Sequence, residues 1–320
     1  MSMRNRIIFL ITLSFLLVGC KDKKAEQFKA LPFPNASVPS MLQERQEVAE
    51  YLAEHWWDGL TDPQRDYPCD STLISGVSRG DVDQNFANWT VVLNSVDHAV
   101  AVKSMNRLFD RALACERKDT SSNVFESMTA IVQSYLYDPN SPMRNEDFYG
   151  PYALNLSKCE LVDDAMRGAY AFDAQMCSLN RVGTRAADFR FTDVSGRTRR
   201  LYDIKAEYVV LFFSNPGCTA CKDIINTLNS IPQLISGVAA GRIAVLNIYI
   251  DEDLGAWREY MPIYPKEWYN GYDPDYVIRT DILYNVRAIP SLYLLDEQKR
   301  VILKDAPENR LFDYLLSGQL

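Results

Sequence analysis

Histidine is almost missing from this chain. Only His55 and His98 occur in 320 residues, whereas a tetrahedral zinc site needs four nitrogen or sulfur ligands. The one cysteine pair with ligand-like spacing, Cys218-Thr219-Ala220-Cys221, lies far along the chain from both histidines, so no resident metal is expected. Long apolar runs are also scarce. After the first twenty residues no segment has the length and hydropathy of a membrane span. Basic charge is in short supply too: 34 Lys and Arg face 42 Asp and Glu, for a formal charge of −8. A chain this acidic lacks the electrostatic footprint of a nucleic-acid-binding protein.

What is present begins with an address. Arg4 and Arg6 precede an apolar run from Ile7 to Val18 that is too short to span a bilayer comfortably, and small residues follow. That layout predicts a secretory signal over residues 1–19. Leu17-Val18-Gly19-Cys20 resembles the lipobox of bacterial lipoproteins, which implies that Cys20 is lipidated and becomes the mature N-terminus. The alternative is a plain signal peptide with an incidental cysteine. Losing residues 1–19 removes Arg4 and Arg6 and no acid, so the charge moves from −8 to −10. Residues 20–39, charged at first and then rich in Ala, Pro, Asn and Ser, read as a tether. The expected location is the bacterial cell envelope, lipid-anchored, with the outer membrane favoured over the inner.

About 280 residues remain, more than one average core, which favours two domains. Residues 40–179 carry helical spacing: Leu42, Val48, Leu52 and Trp56; Val96, Val100, Leu108 and Leu113; Val124, Met128, Ile131 and Tyr135. No convincing alternating strand appears there, so an all-helical bundle is expected. Near Asn180 the pattern changes to strands and helices in alternation. Val194-Ser195-Gly196 marks a hairpin turn, and Tyr208 to Ser214 (YVVLFFS) is a buried-type strand. Helical spacing follows at Ile224, Ile225, Leu228 and Ile231, with Pro232 kinking or ending the helix and Gly237 stopping it. Ile243–Ile250 is a strand, then comes a long polar and aromatic insertion, Ser291–Leu295 as a strand with Arg300–Leu303 as its partner, and a last helix opening at Pro307-Glu308.

The Cys218-x-x-Cys221 pair sits where YVVLFFS passes into that first helix. Three readings are open: a redox dithiol, half of a metal site, or an inert structural bridge. Helix-start placement favours the first, because backbone N–H groups and the positive end of the helix dipole stabilise a thiolate there. Cys218 would attack, and Cys221, one turn on, would resolve the mixed disulfide. Ile289-Pro290 lies directly before a strand, 69 residues after Cys221, and strengthens this reading.

The element order and these motifs resemble the thioredoxin fold. From Asn180 onward the chain is similar to thioredoxin-like lipoproteins of bacterial envelopes, related to the TlpA class of thiol-disulfide oxidoreductases. The resemblance rests on Arg181-Val182-Gly183 with Ala187-Asp188-Phe189, on Cys218-Thr219-Ala220-Cys221, on Ala288-Ile289-Pro290 and on Leu292-Tyr293-Leu294-Leu295-Asp296. It implies a thioredoxin-like domain over 180–320, a central mixed sheet flanked by helices. It also implies a cis-proline at Pro290 and an Ile289 backbone that contacts the substrate chain. Residues 40–179, with YLAEHWWD and YLYDPNSPMRNEDFY, resemble a helical domain of unknown function found ahead of such domains.

The sequence departs from the family in three places. Gly217 stands where a tryptophan is usual, Phe212 replaces the buried acid of thioredoxin, and Ile224 replaces a glutamate of some TlpA-like proteins. No obvious proton acceptor therefore serves Cys221, and Asp223 is expected to be exposed. Ser141-Pro142 reads as a helix cap and first helical residue; Arg144 and Glu146 could instead face the second domain or a client. His55-Trp56-Trp57 reads as aromatic core. Cys69, Cys115, Cys159 and Cys177 allow two disulfides in three connectivities; Cys115 could equally be a buried thiol, and Cys177 could exchange with Cys218. The expected activity is thiol-disulfide exchange on exported cysteine-containing proteins, with an unidentified redox partner and no cofactor beyond the dithiol. The competing class is a non-catalytic scaffolding lipoprotein. Thr219-Ala220 does not set the direction of electron flow.

Overall fold

The computed structural model describes residues 28–67 and 70–317. The signal segment and Cys20 lie outside the described residues, and so does Cys69. Among the described residues the first half packs six helices: α1 (Arg45–His55), α2 (Arg79–Leu93), α3 (His98–Lys118), α4 (Val124–Leu136), α5 (Glu146–Leu156) and α6 (Asp164–Cys177). In α3, Ala101, Met105, Leu108, Ala112 and Cys115 recur every three or four residues and are buried, the stripe an amphipathic helix needs. Ser78 caps α2 by accepting from Asp81 N–H at 3.1 Å, and Asp163 caps α6 by accepting from Ala165 and Met166 N–H. Trp57, Phe86, Trp89, Phe109 and Tyr152 fill the core with edge-to-face and tilted contacts. His55 is half-buried and bonded to Asp58 at 2.8 Å.

Three expectations change in this half. A two-stranded ribbon interrupts the helices, β1 (Leu73–Ile74) with β2 (Val77–Ser78), around Ser75-Gly76, both at positive φ. Ser141-Pro142 opens no helix: the Ser141 hydroxyl donates to Tyr135 O at 2.6 Å and accepts from Met143 N–H, which closes a turn, and Asn145 caps α5 instead. Part of the expected tether is docked rather than free. Leu31 N–H donates to Gly76 O at 2.8 Å, Phe33 meets Trp57 edge-on, and Pro34 lies so close to Gly59 that a Cβ there would stand 2.8 Å from it. Phe33 carries apolar surface that the helical core covers, and Leu31 bridges to Val77 of the ribbon.

The second half is built on a seven-stranded mixed sheet. Its strands are β3 (Arg190–Asp193), β4 (Thr198–Arg200), β5 (Tyr208–Phe213), β6 (Ile243–Tyr249), β7 (Tyr269–Tyr272), β8 (Ser291–Leu295) and β9 (Val301–Leu303), in the order β4-β3-β7-β6-β5-β8-β9. β5, β6 and β7 are parallel; the other pairings are antiparallel. One face carries α7 (Thr219–Leu228), α8 (Pro232–Ala239), α9 (Leu254–Tyr260) and α11 (Glu308–Leu316); the other carries Phe189, Leu201, Tyr284 and Ile278 of the short α10 (Val277–Thr280). β5 and β6 are covered on both sides, which is why β5 reads as an unbroken apolar run and β6 as one broken only by Asn247.

Two readings fail here for one physical reason, close approach at glycine. Gly237 does not stop a helix. Pro232 opens α8, and Gly237 lies inside it because a Cβ would fall 2.5 Å from Ile243 Cδ1. β7, unforeseen within the insertion, holds Gly271 where a Cβ would meet Phe191 at 2.8 Å. The two halves then meet through buried charge: Arg144 and Glu146 face the second half, and Lys304 Nζ donates to Cys177 O at 2.6 Å.

Candidate functional site

The site starts from strand pairing. Phe213 ends β5 opposite Ser291, which begins β8. The chain leaving β5 toward Cys218 and the chain arriving through Ile289-Pro290 therefore emerge at the same end of the sheet. The Ile289–Pro290 peptide bond is cis. Ile289 and Cys218 are both partly buried and pack against the same apolar cluster as Phe212, Ile224 and Leu292.

After Ser214, Asn215-Pro216-Gly217 turns the chain through a left-handed residue: Gly217 has φ +75° with open space around it. A side chain at this position would be strained by backbone conformation alone. That accounts physically for glycine standing where tryptophan is usual. Cys218 N–H donates to Asn215 O at 3.3 Å, and Cys218 itself is the N-cap of α7. Its Sγ accepts from the Cys221 N–H at 3.1 Å. The two cysteines are joined as a disulfide with Cα atoms 5.2 Å apart. Their exposures differ: Cys218 is half-buried at the surface, while Cys221 is 1% exposed. Such a pair offers one sulfur to an incoming group and keeps the other inside.

The surroundings of Cys221 are apolar. Phe212 and Ile224 are buried in its cluster, and Asp223 is exposed. Sequence reasoning missed the buried polar chain at the end of β5: Ser214 Oγ donates to Asn247 Oδ1 and lies 3.4 Å from the Tyr264 hydroxyl, and Asn247 Nδ2 donates to Asn270 Oδ1 at 3.1 Å. Burial pushes the Tyr264 phenol up. A polar residue inside IAVLNIYI was the one signal in the sequence that could have pointed there.

Among the described residues, the cysteines outside this pair form no disulfide. Cys115, Cys159 and Cys177 are free and buried, which overturns the two-disulfide expectation. Cys177 is also ill suited to exchange with Cys218. Burial pushes its thiol well up, and the Glu146 carboxylate adds to the effect, so the thiolate that exchange requires is disfavoured. Its Cβ is packed where a Cβ on Gly150 would meet it at 2.9 Å.

Comparison with known proteins bears on the family and the fold. Residues 18–180 match a family model described as a domain of unknown function, DUF5106. A thioredoxin-like protein from Bacteroides caccae, known from its crystal structure, is 33% identical, with a TM-score of 0.77 over 91% of this chain and 100% of its own. The C-terminal domain of an uncharacterized protein from Bacteroides fragilis is 46% identical over 42% of this chain and 97% of its own, TM-score 0.41. A domain of a possible thiol-disulfide isomerase from Cytophaga hutchinsonii is 26% identical over 44% of this chain and 94% of its own, TM-score 0.37. The comparison with curated proteins gives no match.

Proposed function

Because this chain belongs to the DUF5106 family and to the thioredoxin-like proteins, we propose that it is a membrane-anchored thiol-disulfide oxidoreductase of the bacterial envelope that acts on exported, cysteine-containing proteins. The observation that carries the reading is the N-cap position of Cys218, whose sulfur already accepts the Cys221 N–H. In the reduced protein that N–H and the positive end of α7 favour the thiolate at neutral pH.

In the reducing direction the Cys218 thiolate attacks one sulfur of a client disulfide. The client S–S bond breaks, one client sulfur leaves as thiolate and takes a proton from water, and the other remains on Cys218. Cys221 then loses its proton and attacks Cys218. The mixed disulfide breaks, the client leaves with two thiols, and two electrons have passed from the dithiol to the client. A partner dithiol in the envelope resets the pair, and the reverse sequence oxidises a client dithiol. The electrons reside on the sulfurs, so no further cofactor is invoked. Ile289, beside the pair, offers its main chain to the extended client segment, and Pro290 keeps a main-chain donor away from the sulfurs. Cys20 supplies the anchor.

A second reading has one observation in its favour. Cys221 is buried in one apolar cluster with Phe212 and Ile224, as suits a binding or scaffolding lipoprotein with a vestigial dithiol. One experiment separates the two. Cys221→Ser, recovered from the envelope with free thiols blocked, should carry exported proteins as mixed disulfides that reductant releases, and Cys218→Ser, Cys221→Ser should carry none. Empty Cys221→Ser, together with a wild type inert toward a model disulfide, favours the scaffold.

A further inference from the structure

Segment 285–291, which carries Ile289 and Pro290 into β8, is held from outside its own domain. On the near side, Asn285 Nδ2 donates to Glu146 Oε1 at 2.9 Å and Arg287 Nε donates to the same oxygen at 3.0 Å. Arg287 also donates through Nη1 to Tyr137 O, and its guanidinium lies 4.0 Å over the Tyr137 ring. On the far side, Ser291 Oγ donates to Asp305 Oδ1 at 2.7 Å. The main-chain oxygens of Asp305 and Ala306 in turn accept from Arg144 Nε and Nη2 at 2.9 and 3.0 Å. Helical-half residues thus grip both ends of the stretch that carries Ile289 and Pro290, which shares an apolar cluster with Cys218.

Glu146 is the centre of the grip. It is the first residue of α5, where the helix dipole favours an anion. Its second oxygen pairs with Lys304 Nζ at 2.8 Å, with both side chains 1% exposed. Water does not screen contacts at that depth, so they are stiff, and an ion buried with its partners in place holds one geometry.

We infer that Glu146 is a positioning residue for client binding: through Asn285 and Arg287 it sets where Ile289 and Pro290 stand relative to Cys218. The helical half thereby becomes part of the redox site. This rests on the thiol-disulfide reading, since the position of Ile289 matters to catalysis only if a client chain lies along it.

A merely adhesive role would make Glu146 variants less stable and nothing more. The test therefore separates client binding from sulfur chemistry. The full chain is reduced, freed of reductant and mixed with either of two probes in single turnover. One is a fluorogenic pair of peptides joined by a cystine, which needs the main-chain contact. The other is 5,5′-dithiobis(2-nitrobenzoate), a small aromatic disulfide that does not. In folded Glu146→Ala the half-saturating peptide concentration should rise about tenfold, the scale of effect that a small misplacement produces, while the limiting rate and the aromatic disulfide rate stay within about twofold. Glu146→Gln, which keeps an acceptor for Asn285 and Arg287, should fall between. An unchanged half-saturation, or equal slowing with both probes, overturns the inference. Should Glu146→Ala fail to unfold cooperatively, Asn285→Ala decides in the same way, because it removes one donor without stranding a charge. A wild type that reacts with neither probe instead removes the thiol-disulfide reading itself, and the positioning role with it.

Discussion

Ser291 donates its hydroxyl to Asp305 across 2.7 Å, one residue after Pro290 and inside the charged seam between the two halves. Asp305 is itself nearly inaccessible. Burial, reinforced by the Glu146 charge, pushes its carboxyl up to about 6 even though Arg144 and Arg287 pull the other way.

A pH dependence follows. Between the unfolded value of 3.8 and about 6 the folded protein holds a proton that the unfolded chain releases. Stability from this group is therefore full below the unfolded value and falls as pH rises through that window, by on the order of 3 kcal/mol. Asp305→Asn cannot titrate. Its unfolding free energy minus that of wild type should climb from pH 4 to pH 6.5 in urea titrations. A difference that stays flat with pH would show that Asp305 keeps an ordinary carboxyl.

The apolar setting of Cys221 makes a kinetic prediction. Ile224 is 5% exposed, one turn beyond Cys221 on α7, so Ile224→Glu places a carboxylate beside the resolving sulfur. Turnover of a model disulfide should rise by about tenfold near neutral pH, short of the ~100-fold that a well-placed general base supplies. The burial costs stability, so cooperative unfolding must be verified first. No acceleration in a folded variant would mean that water or another group already takes the proton.

Gly237 sets helix preference against packing. Alanine is better in a helix by about 1 kcal/mol, yet its Cβ would stand 2.5 Å from Ile243 Cδ1 and 2.7 Å from Cγ1. Overpacking of that kind costs about 1–3 kcal/mol. Gly237→Ala should therefore lower stability by about 1 kcal/mol once the two are set against each other. Stabilisation in chemical denaturation would show that Ile243 moves aside freely.

The parts of this fold that could be read in sequence are those written locally. YVVLFFS, the cysteine at the start of α7, Ile-Pro before SLYLL and the Val-Ser-Gly turn each carry their signal within a few residues. β7 was missed because Tyr-Asn-Gly-Tyr has no strand pattern; its glycine is explained by the close approach of Phe191 and Thr192, about 80 residues earlier in the chain. The seam was half legible. Arg144 and Glu146 stood out as candidates to face the second domain, but their partners Asn285, Arg287, Lys304 and Asp305 are more than 130 residues away, and ion pairs across such separations leave no periodicity. The burial of Cys221 was not read in advance, but the place of Cys218 at the start of α7 followed from the strand-to-helix pattern. The polar chain from Ser214 to Asn270 did not, since it runs across three elements.

The docking of Leu31 and Phe33 onto the helical half also limits reach. With Cys20 lipidated as proposed, eleven residue steps separate the anchor from the first pinned residue, a fully stretched span of roughly 36–40 Å. That leash is comparable to the width of a folded domain, so the body would sweep only a shallow layer above the lipid. Clients would meet the dithiol at high effective concentration if they are themselves membrane-bound, and freely diffusing clients would gain no such advantage.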